Sequence, residues 1–367
     1  MRALFVANPM VGHVLPLVPL ATAFRDAGHG VVFATAGEGV DAARKAGLDA
    51  RDVAPGLKVE RVLLGAMLRR PRMMRRELAG EGGTDVVGHL FAPLNGRLAE
   101  ATLALAADWR PDLVLHEGLA PVGSLAAAHR GVPSVLVDAL LFDGRELFAA
   151  VARQLDGRAI PQPAEAVVAA PPSLVGARRG RPMRYVAAGR GEVPDRLTRA
   201  GRRPLILVSR STVADPRPDR MMTRVIEAAA GADVDVVLVR PDSRAARRPL
   251  PPNVTTTDWL PFADVLPHVA GVVHHGGAGT LMAALAAGVP QVVVPGAGDR
   301  TVHARLVADR GAGLAVPAPD ITAETLERLV SDPGLKAAAA EVAAEIAAMP
   351  PPADLVEPLL DGVRSGR

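Results

Sequence analysis

The heptapeptide His274-His275-Gly276-Gly277-Ala278-Gly279-Thr280 gathers hydrogen-bond donors at one point of the chain. The apolar, β-branched run 269–273 before it predicts a buried strand, and 281–287 after it reads as the first turns of a helix. A strand that ends in glycines and opens into a helix directs backbone N–H groups and the positive end of the helix dipole at one spot. Such a spot suits an anion, above all a phosphate. Two imidazoles and the Thr280 hydroxyl add donors there. The alternative is a tight strand-to-helix turn with two surface histidines, and a glycine-rich turn alone does not separate the two. A metal site is not expected, because adjacent histidines on a strand end point in opposite directions and no carboxylate stands at ligand spacing. A second reactive candidate is His13, after Gly12 in the loop 8–16. An imidazole titrates near neutrality and so accepts a hydroxyl proton without metal help, although loop histidines also serve as plain caps.

The elements that would position these residues follow a strand–helix grammar. Residues 3–7 predict a first buried strand, 17–27 a helix that stops at Gly28, and 30–35 a second strand. The unit recurs at 112–116 after a helical 98–107, and at 134–137 after 121–128. This is an α/β chain with a parallel sheet, in which ligands collect at the carboxyl ends of the strands. His13 and Glu117, each just beyond a strand, should therefore share a crevice. Segment 58–88 breaks the alternation with an arginine-rich run, 68–76, then Gly80, Gly82 and Gly83. It reads as a solvated helix face beside a mobile substrate loop, with a membrane-surface or anionic-substrate contact as the alternative. Prolines, glycines and arginines dominate 161–204, which predicts an inter-domain segment. The grammar restarts with a strand at 205–209, a turn at Arg210-Ser211-Thr212, a helix at 218–230 and a strand at 234–239. The expected division is 1–195, a linker 196–203, 204–349, and a C-terminal helical segment 350–367 after Pro350-Pro351-Pro352.

Composition bounds the function. The 367 residues fit two domains of about 150 to 200 residues each. There are no cysteines, which excludes disulfides and thiolate metal sites. Hydrophobic residues make up 49% and charged residues 22%, and no uncharged apolar run reaches the roughly 20 residues that cross a bilayer. The start of the chain reads as a strand rather than a signal peptide, so a cytoplasmic, soluble protein is expected. The pI is near 9.9, yet the formal net charge is only +3 and aromatics only 3%. A concentrated basic face with stacking aromatics is missing, so no nucleic-acid partner is expected.

With Trp259-Leu260-Pro261 before the heptapeptide, and Ala287-Gly288-Val289-Pro290-Gln291, Pro295 and Asp299 after it, the stretch resembles the donor motif of family 1 nucleotide-sugar glycosyltransferases. More narrowly, the chain is similar to the bacterial antibiotic and natural-product branch, the macrolide glycosyltransferase-like enzymes. Gly12-His13 with Pro16, the run Pro111 to Glu117, and Ser211-Thr212 extend the resemblance over both halves.

The resemblance implies a GT-B architecture: two facing Rossmann-like domains with an inter-domain cleft, the first for the acceptor and the second for the donor. It places His13 as the base and Glu117 as its acidic partner, with Asp112 as a rival at the far end of the strand. On the donor side it implies His275, Gly277, Ala278, Gly279 and Thr280 at the diphosphate, Trp259 and Leu260 at the nucleotide base, Asp299 at the sugar, and Ser211 and Thr212 beside them. Arg300 follows Asp299 where relatives often carry glutamine, and it either contacts the sugar or pairs with Asp299. Arg210 is a second departure. The implied reaction is inverting transfer of a deoxysugar, from dTDP rather than UDP, to a hydroxyl of a hydrophobic natural product. No cofactor, metal or stable membrane association is expected; the partners are the nucleotide sugar and the acceptor, and a homodimer is left open. Acceptor-lining candidates are Met10, Met67, Phe91 and Phe142, each equally suited to plain packing. The alternatives are a nucleotide-sugar epimerase or hydrolase on the same fold, a non-catalytic nucleotide-sugar-binding partner of another transferase, and, on the strength of the arginine run alone, a membrane-lipid glycosyltransferase.

Overall fold

Short strands, most of them apolar, build two parallel sheets. In a computed structural model the described residues are 1–78, 83–155, 159–187, 191–198, 203–210 and 220–364, without the side chains of residues 74, 77, 78 and 196. The first sheet contains β1 (Arg2–Val6), β2 (Gly30–Thr35), β3 (Ala50–Asp52), β4 (Leu113–Glu117), β5 (Ser134–Asp138), β6 (Glu165–Val168) and β7 (Arg181–Pro182). The second contains β8 (Leu205–Ser209), β9 (Asp235–Val239), β10 (Val254–Thr257), β11 (Gly271–His274), β12 (Gln291–Val293) and β13 (Gly313–Ala315). Their orders are β3-β2-β1-β4-β5-β6-β7 and β10-β9-β8-β11-β12-β13. Parallel sheets are covered on both faces, which is why β4 and β11 are buried at every residue instead of alternating.

The chain divides into two units, Met1–Tyr185 with Met349–Arg367, and Val186–Ala348. This differs from the sequence-based division in two respects. Part of the stretch expected between domains is β6 and β7, which extend the first sheet in parallel register, Val135 opposite Glu165 and Val167 opposite Arg181. The C-terminal segment is not separate: Leu355, Val356, Leu359 and Leu360 share the first unit's core with Leu17, Leu20 and Phe24. The Arg184 backbone N–H donates to the Pro350 carbonyl at 2.7 Å, fastening the returning chain. In the same core Phe5 lies 5.2 Å from Phe33 and 6.0 Å from Phe24, centroid to centroid. Burial of each such ring contributes about 1.5–3 kcal/mol.

Segment 58–88 agrees with expectation in part. The run expected as a solvated helix face is helical, with Arg72, Arg75 and Arg76 exposed on Pro71–Leu78; Val59–Leu68 is a further helix before it, and the long helix Thr84–Trp109 begins where the loop was expected. Pro71 sits at the first helical position, where its missing N–H costs nothing. The long helix buries Gly88, Ala92, Asn95, Ala99, Thr102 and Ala106 at three- and four-residue spacing. A Cβ at Gly88 would stand 2.5 Å from the Ala150 carbonyl oxygen, so only glycine permits that helix to approach Gly144–Ala152 so closely.

Candidate active site

In both sheets the strand order reverses beside the first strand of the unit, between β1 and β4 and between β8 and β11. Connections leave such a point on opposite faces and open a crevice at the carboxyl ends. The chemically capable residues lie at those two points.

In the first unit the chain turns after β1 into the short helix Val11–Val14, which carries His13; Glu117 is the last residue of β4. His13 Nδ1 meets Glu117 Oε2 at 2.6 Å. The carboxylate is only 3% exposed. Its other oxygen accepts the backbone N–H of Asn8 at 2.7 Å and the Asn8 side-chain amide at 3.0 Å. The neighbouring Asp112 accepts from the Arg2 N–H at 2.7 Å, at the amino end of the sheet, so it is no competitor for His13. A carboxylate on Nδ1 fixes the tautomer and stabilises the imidazolium that forms when Nε2 takes a proton.

Two of the four acceptor candidates gather near this pair. The Phe91 ring centroid is 5.4 Å from that of His13, and Phe142 belongs to the same apolar cluster as Phe91, Leu119 and Leu147. Met10 starts the His13 helix and accepts its backbone N–H at 3.0 Å through its carbonyl. Met67 lies instead with Ala66, Met73 and Leu90, among packed helices. A cavity of about 420 Å³ lies along the long helix, lined by Arg70, His89, Asn95 and Gln154 among others, and includes none of the four.

The sequence reading missed three partners. Asn8 and Asn95 are fully buried and hydrogen-bonded around Leu119. Asp138, at the end of β5, pairs with Arg178 at 3.2 Å, and Arg178 also donates to the carbonyls of Leu140 and Leu141, pinning the stretch that leads to Phe142. Burial pushes the Asp138 carboxyl up to about 6 against the pull of Arg178. The available signal was an aspartate closing an apolar strand, as Glu117 does.

In the second unit His274 and His275 part ways. His274 ends β11 fully buried. It meets Gln291 Oε1 through Nε2 at 2.7 Å and accepts the Gly276 N–H on Nδ1 at 3.1 Å, which makes Nε2 the protonated nitrogen. Burial, then the neighbouring His275, push it down to about 3. His275 is displaced toward the helix Ala278–Ala286, whose N-cap is Gly277. A Cβ on Gly277 would lie 2.6 Å from His275 Nε2, so the ring stands where only glycine leaves room for it. Ala278, Gly279 and Thr280 form the first turn of that helix, at the positive end of its dipole. Burial, followed by the Arg300 charge, holds His275 down at about 4. Its Nδ1 contact to the Ser209 carbonyl, 3.5 Å, is too long to lock a tautomer.

Gly276 has φ +84° and would crowd the Arg300 backbone if it carried a side chain. Its carbonyl accepts the Nδ1–H of buried His303 at 2.7 Å, a loop support the sequence reading did not single out. Asp299 is half-exposed, with Oδ2 3.7 Å from His303 Nε2. Arg300 opens the helix Arg300–Asp309, its side chain passing over Gly296. Trp259 is 60% exposed and so takes no part in the core, while its neighbour Leu260 is buried. Arg210 follows β8 with its Nε buried and without a hydrogen-bond partner among the described residues. Ser211 and Thr212 lie outside the described residues. Among the described residues no group of three or more His, Cys, Asp or Glu is placed to hold a metal ion, and no helix is long and apolar enough to cross a membrane.

Comparison with known proteins gives the chain its class. The fold is similar to that of the glycosyltransferase SnogD from Streptomyces nogalater, with a TM-score of 0.81, 32% identity, and 98% and 99% of the two chains covered. It is similar also to the Streptomyces glycosyltransferase SsfS6 complexed with thymidine diphosphate, TM-score 0.83, 29% identity, with the same coverage. The chain is a glycosyltransferase of the GT-B class, with two parallel-sheet α/β domains. Residues 22–172 match the N-terminal domain, and 223–361 the C-terminal domain, of the erythromycin biosynthesis protein CIII-like models. Elloramycin glycosyltransferase from Streptomyces olivaceus is 37% identical over 97% of this chain and 96% of its own. The L-demethylnoviosyl transferase of Streptomyces niveus is 32% identical over 100% and 99%. The chain belongs to this macrolide-type family 1 branch of antibiotic glycosyltransferases.

Proposed function

We propose that the protein transfers a deoxysugar from a dTDP-sugar to a hydroxyl of a hydrophobic natural product, with inversion at the anomeric carbon. The observation that carries this reading is the 2.6 Å contact of His13 Nδ1 with buried Glu117, which directs Nε2 away from the carboxylate. Nε2 takes the acceptor's hydroxyl proton as its oxygen bonds to the anomeric carbon. The bond from that carbon to the phosphate oxygen breaks, and the diphosphate leaves with the electron pair. A single displacement of this kind inverts the centre. The departing charge is met by the N–H groups at Gly277–Thr280, by the helix dipole and by His275, all fixed before the reaction begins. Exposed Trp259 offers a face for the nucleotide base, and Asp299 a carboxylate for sugar hydroxyls. Support for dTDP comes from the SsfS6 complex and from relatives such as a TDP-daunosamine transferase; support for a natural-product acceptor comes from the similarity to an elloramycin glycosyltransferase and to a spinosyn rhamnosyltransferase complexed with spinosyn aglycone.

The test is a panel of dTDP- and UDP-sugars against hydrophobic acceptors, with the product's anomeric configuration read by NMR. Transfer with inversion, favoured from dTDP-sugars and unaffected by a chelator, is expected. Donor hydrolysis without transfer, or retention of configuration, would sink the reading.

A further inference from the structure

We infer that Asn8 and Asn95 are positioning residues that hold the two halves of the His13–Glu117 pair in one hydrogen-bonded frame; the inference rests on the proposed role of that pair. Asn8 lies two residues beyond β1, the neighbour of β4, and has no exposed surface. Its backbone N–H and its side-chain Nδ2 both donate to Glu117 Oε1, at 2.7 and 3.0 Å, so the oxygen facing His13 is Oε2. The second Nδ2 proton goes to the Leu119 carbonyl at 2.7 Å. That carbonyl also accepts from Asn95 Nδ2 at 2.8 Å. Asn95, equally buried, gives its other amide proton to the Phe91 carbonyl at 3.0 Å and accepts the Val122 N–H on Oδ1 at 3.4 Å. Phe91 in turn holds its ring 5.4 Å from the imidazole. One carbonyl, Leu119, thus links the carboxylate that orients His13 to the helix whose aromatic ring lies against it.

The orientation of the Asn8 amide follows from the network, since turned over it would set its oxygen against a carboxylate. Asn8 Oδ1 is buried with no hydrogen-bond partner among the described residues. A buried acceptor left unsatisfied is a cost that an apolar residue would avoid. The side chain is therefore there for its two donors, both of which are used. Thr35 fixes the backbone beneath it, its hydroxyl donating to the Asn8 carbonyl at 3.2 Å. Supporting residues of this kind set the geometry of a reactive group rather than touch the substrate.

The experiment compares native protein with Asn8→Leu and Asn95→Leu in transfer kinetics, in the pH dependence of kcat/KM, and in calorimetric affinity for thymidine diphosphate. Asn8→Leu should lower kcat about 10- to 100-fold and displace the acid limb of the pH profile. Asn95→Leu should have the smaller effect of the two. Diphosphate affinity should stay native in both, because its proposed site lies in the other unit. Asn8→Leu added to Glu117→Gln should cost little more than Glu117→Gln alone, since both remove one interaction. If either leucine variant does not fold, Asn8→Ser and Asn95→Ala carry the same measurements. A folded Asn8 variant with native kcat and a native pH profile, while His13→Ala abolishes transfer, overturns this inference alone. Native transfer by His13→Ala overturns the assignment of the pair itself.

Discussion

His13 and His275 both lie just beyond strands at the reversal points of two sheets of like strand order, His13 after the central β1 and His275 after β11, the strand beside the central β8, and their surroundings differ. His13 is joined at 2.6 Å to a carboxylate that is itself held by Asn8. A positive charge arising on that ring would be stabilised. His275 has burial, Arg300 and Arg240 acting on it, and all three push it toward the neutral form, at about 4. In the proposed reaction the same side chain at the same kind of strand end would serve as a proton acceptor in one unit and as an uncharged hydrogen-bonding group in the other. Position in the fold supplies a crevice; the neighbours decide the chemistry.

The sharpest way to break this contrast is to remove the first ring. His13→Ala should cut transfer about 10³-fold while thymidine diphosphate binding by calorimetry is retained; loss of both together would mean the residue is structural. Glu117→Gln keeps the shape but removes the charge, and should cost about 10²-fold in kcat. A native rate in that variant would leave His13 acting alone.

The contrast also has a pH signature. His275 has a folded value of about 4 against 6.5 unfolded, so its contribution to stability is present above pH 6.5 and is lost as the pH falls through 4. His274, pushed down to about 3, acts in the same direction. For His275 the loss between pH 7 and pH 5 should be about 2 kcal/mol. Melting curves at the two pH values should show a smaller shift for His275→Gln than for native protein, and equal shifts would contradict the assignment. His275→Ala should weaken thymidine diphosphate binding about 10-fold, with unchanged affinity disproving its place at the phosphate. The smallest effect expected is from Arg300→Gln. With one flanking cation gone, the His275 titration followed by NMR should move upward, and a downward move would show that Arg300 does not act on it.

Much of the site was legible because it depends on local order. The His275 motif is strand, glycines and helix within a dozen residues, and the observed strand Gly271–His274 and helix Ala278–Ala286 differ from expectation only at their ends. Glu117 was legible as the polar end of an apolar strand. Asn8 and Asn95 were not, since their meaning lies in partners up to 111 residues away. The arginine run was legible as a solvated helix face, whereas the extent of the helices around it, Val59–Leu68 and the start of Thr84–Trp109, was not, because the glycines at 80–83 read as a loop. β6 and β7 were hidden by the prolines and arginines around them; each is short and lies at or near the sheet edge, where such residues are tolerated.

The sequence by itself determined the two-fold α/β grammar, the strand ends where chemistry collects, and the glycines that let a ring approach a helix terminus, because these follow from neighbours along the chain. Only the tertiary structure decided that Glu117 rather than Asp112 meets His13, that His274 is a buried strut while His275 flanks the helix, and that the C-terminal segment belongs to the first unit. Those choices depend on which distant groups burial brings together, and on a charge or hydrogen bond that exists only once they meet.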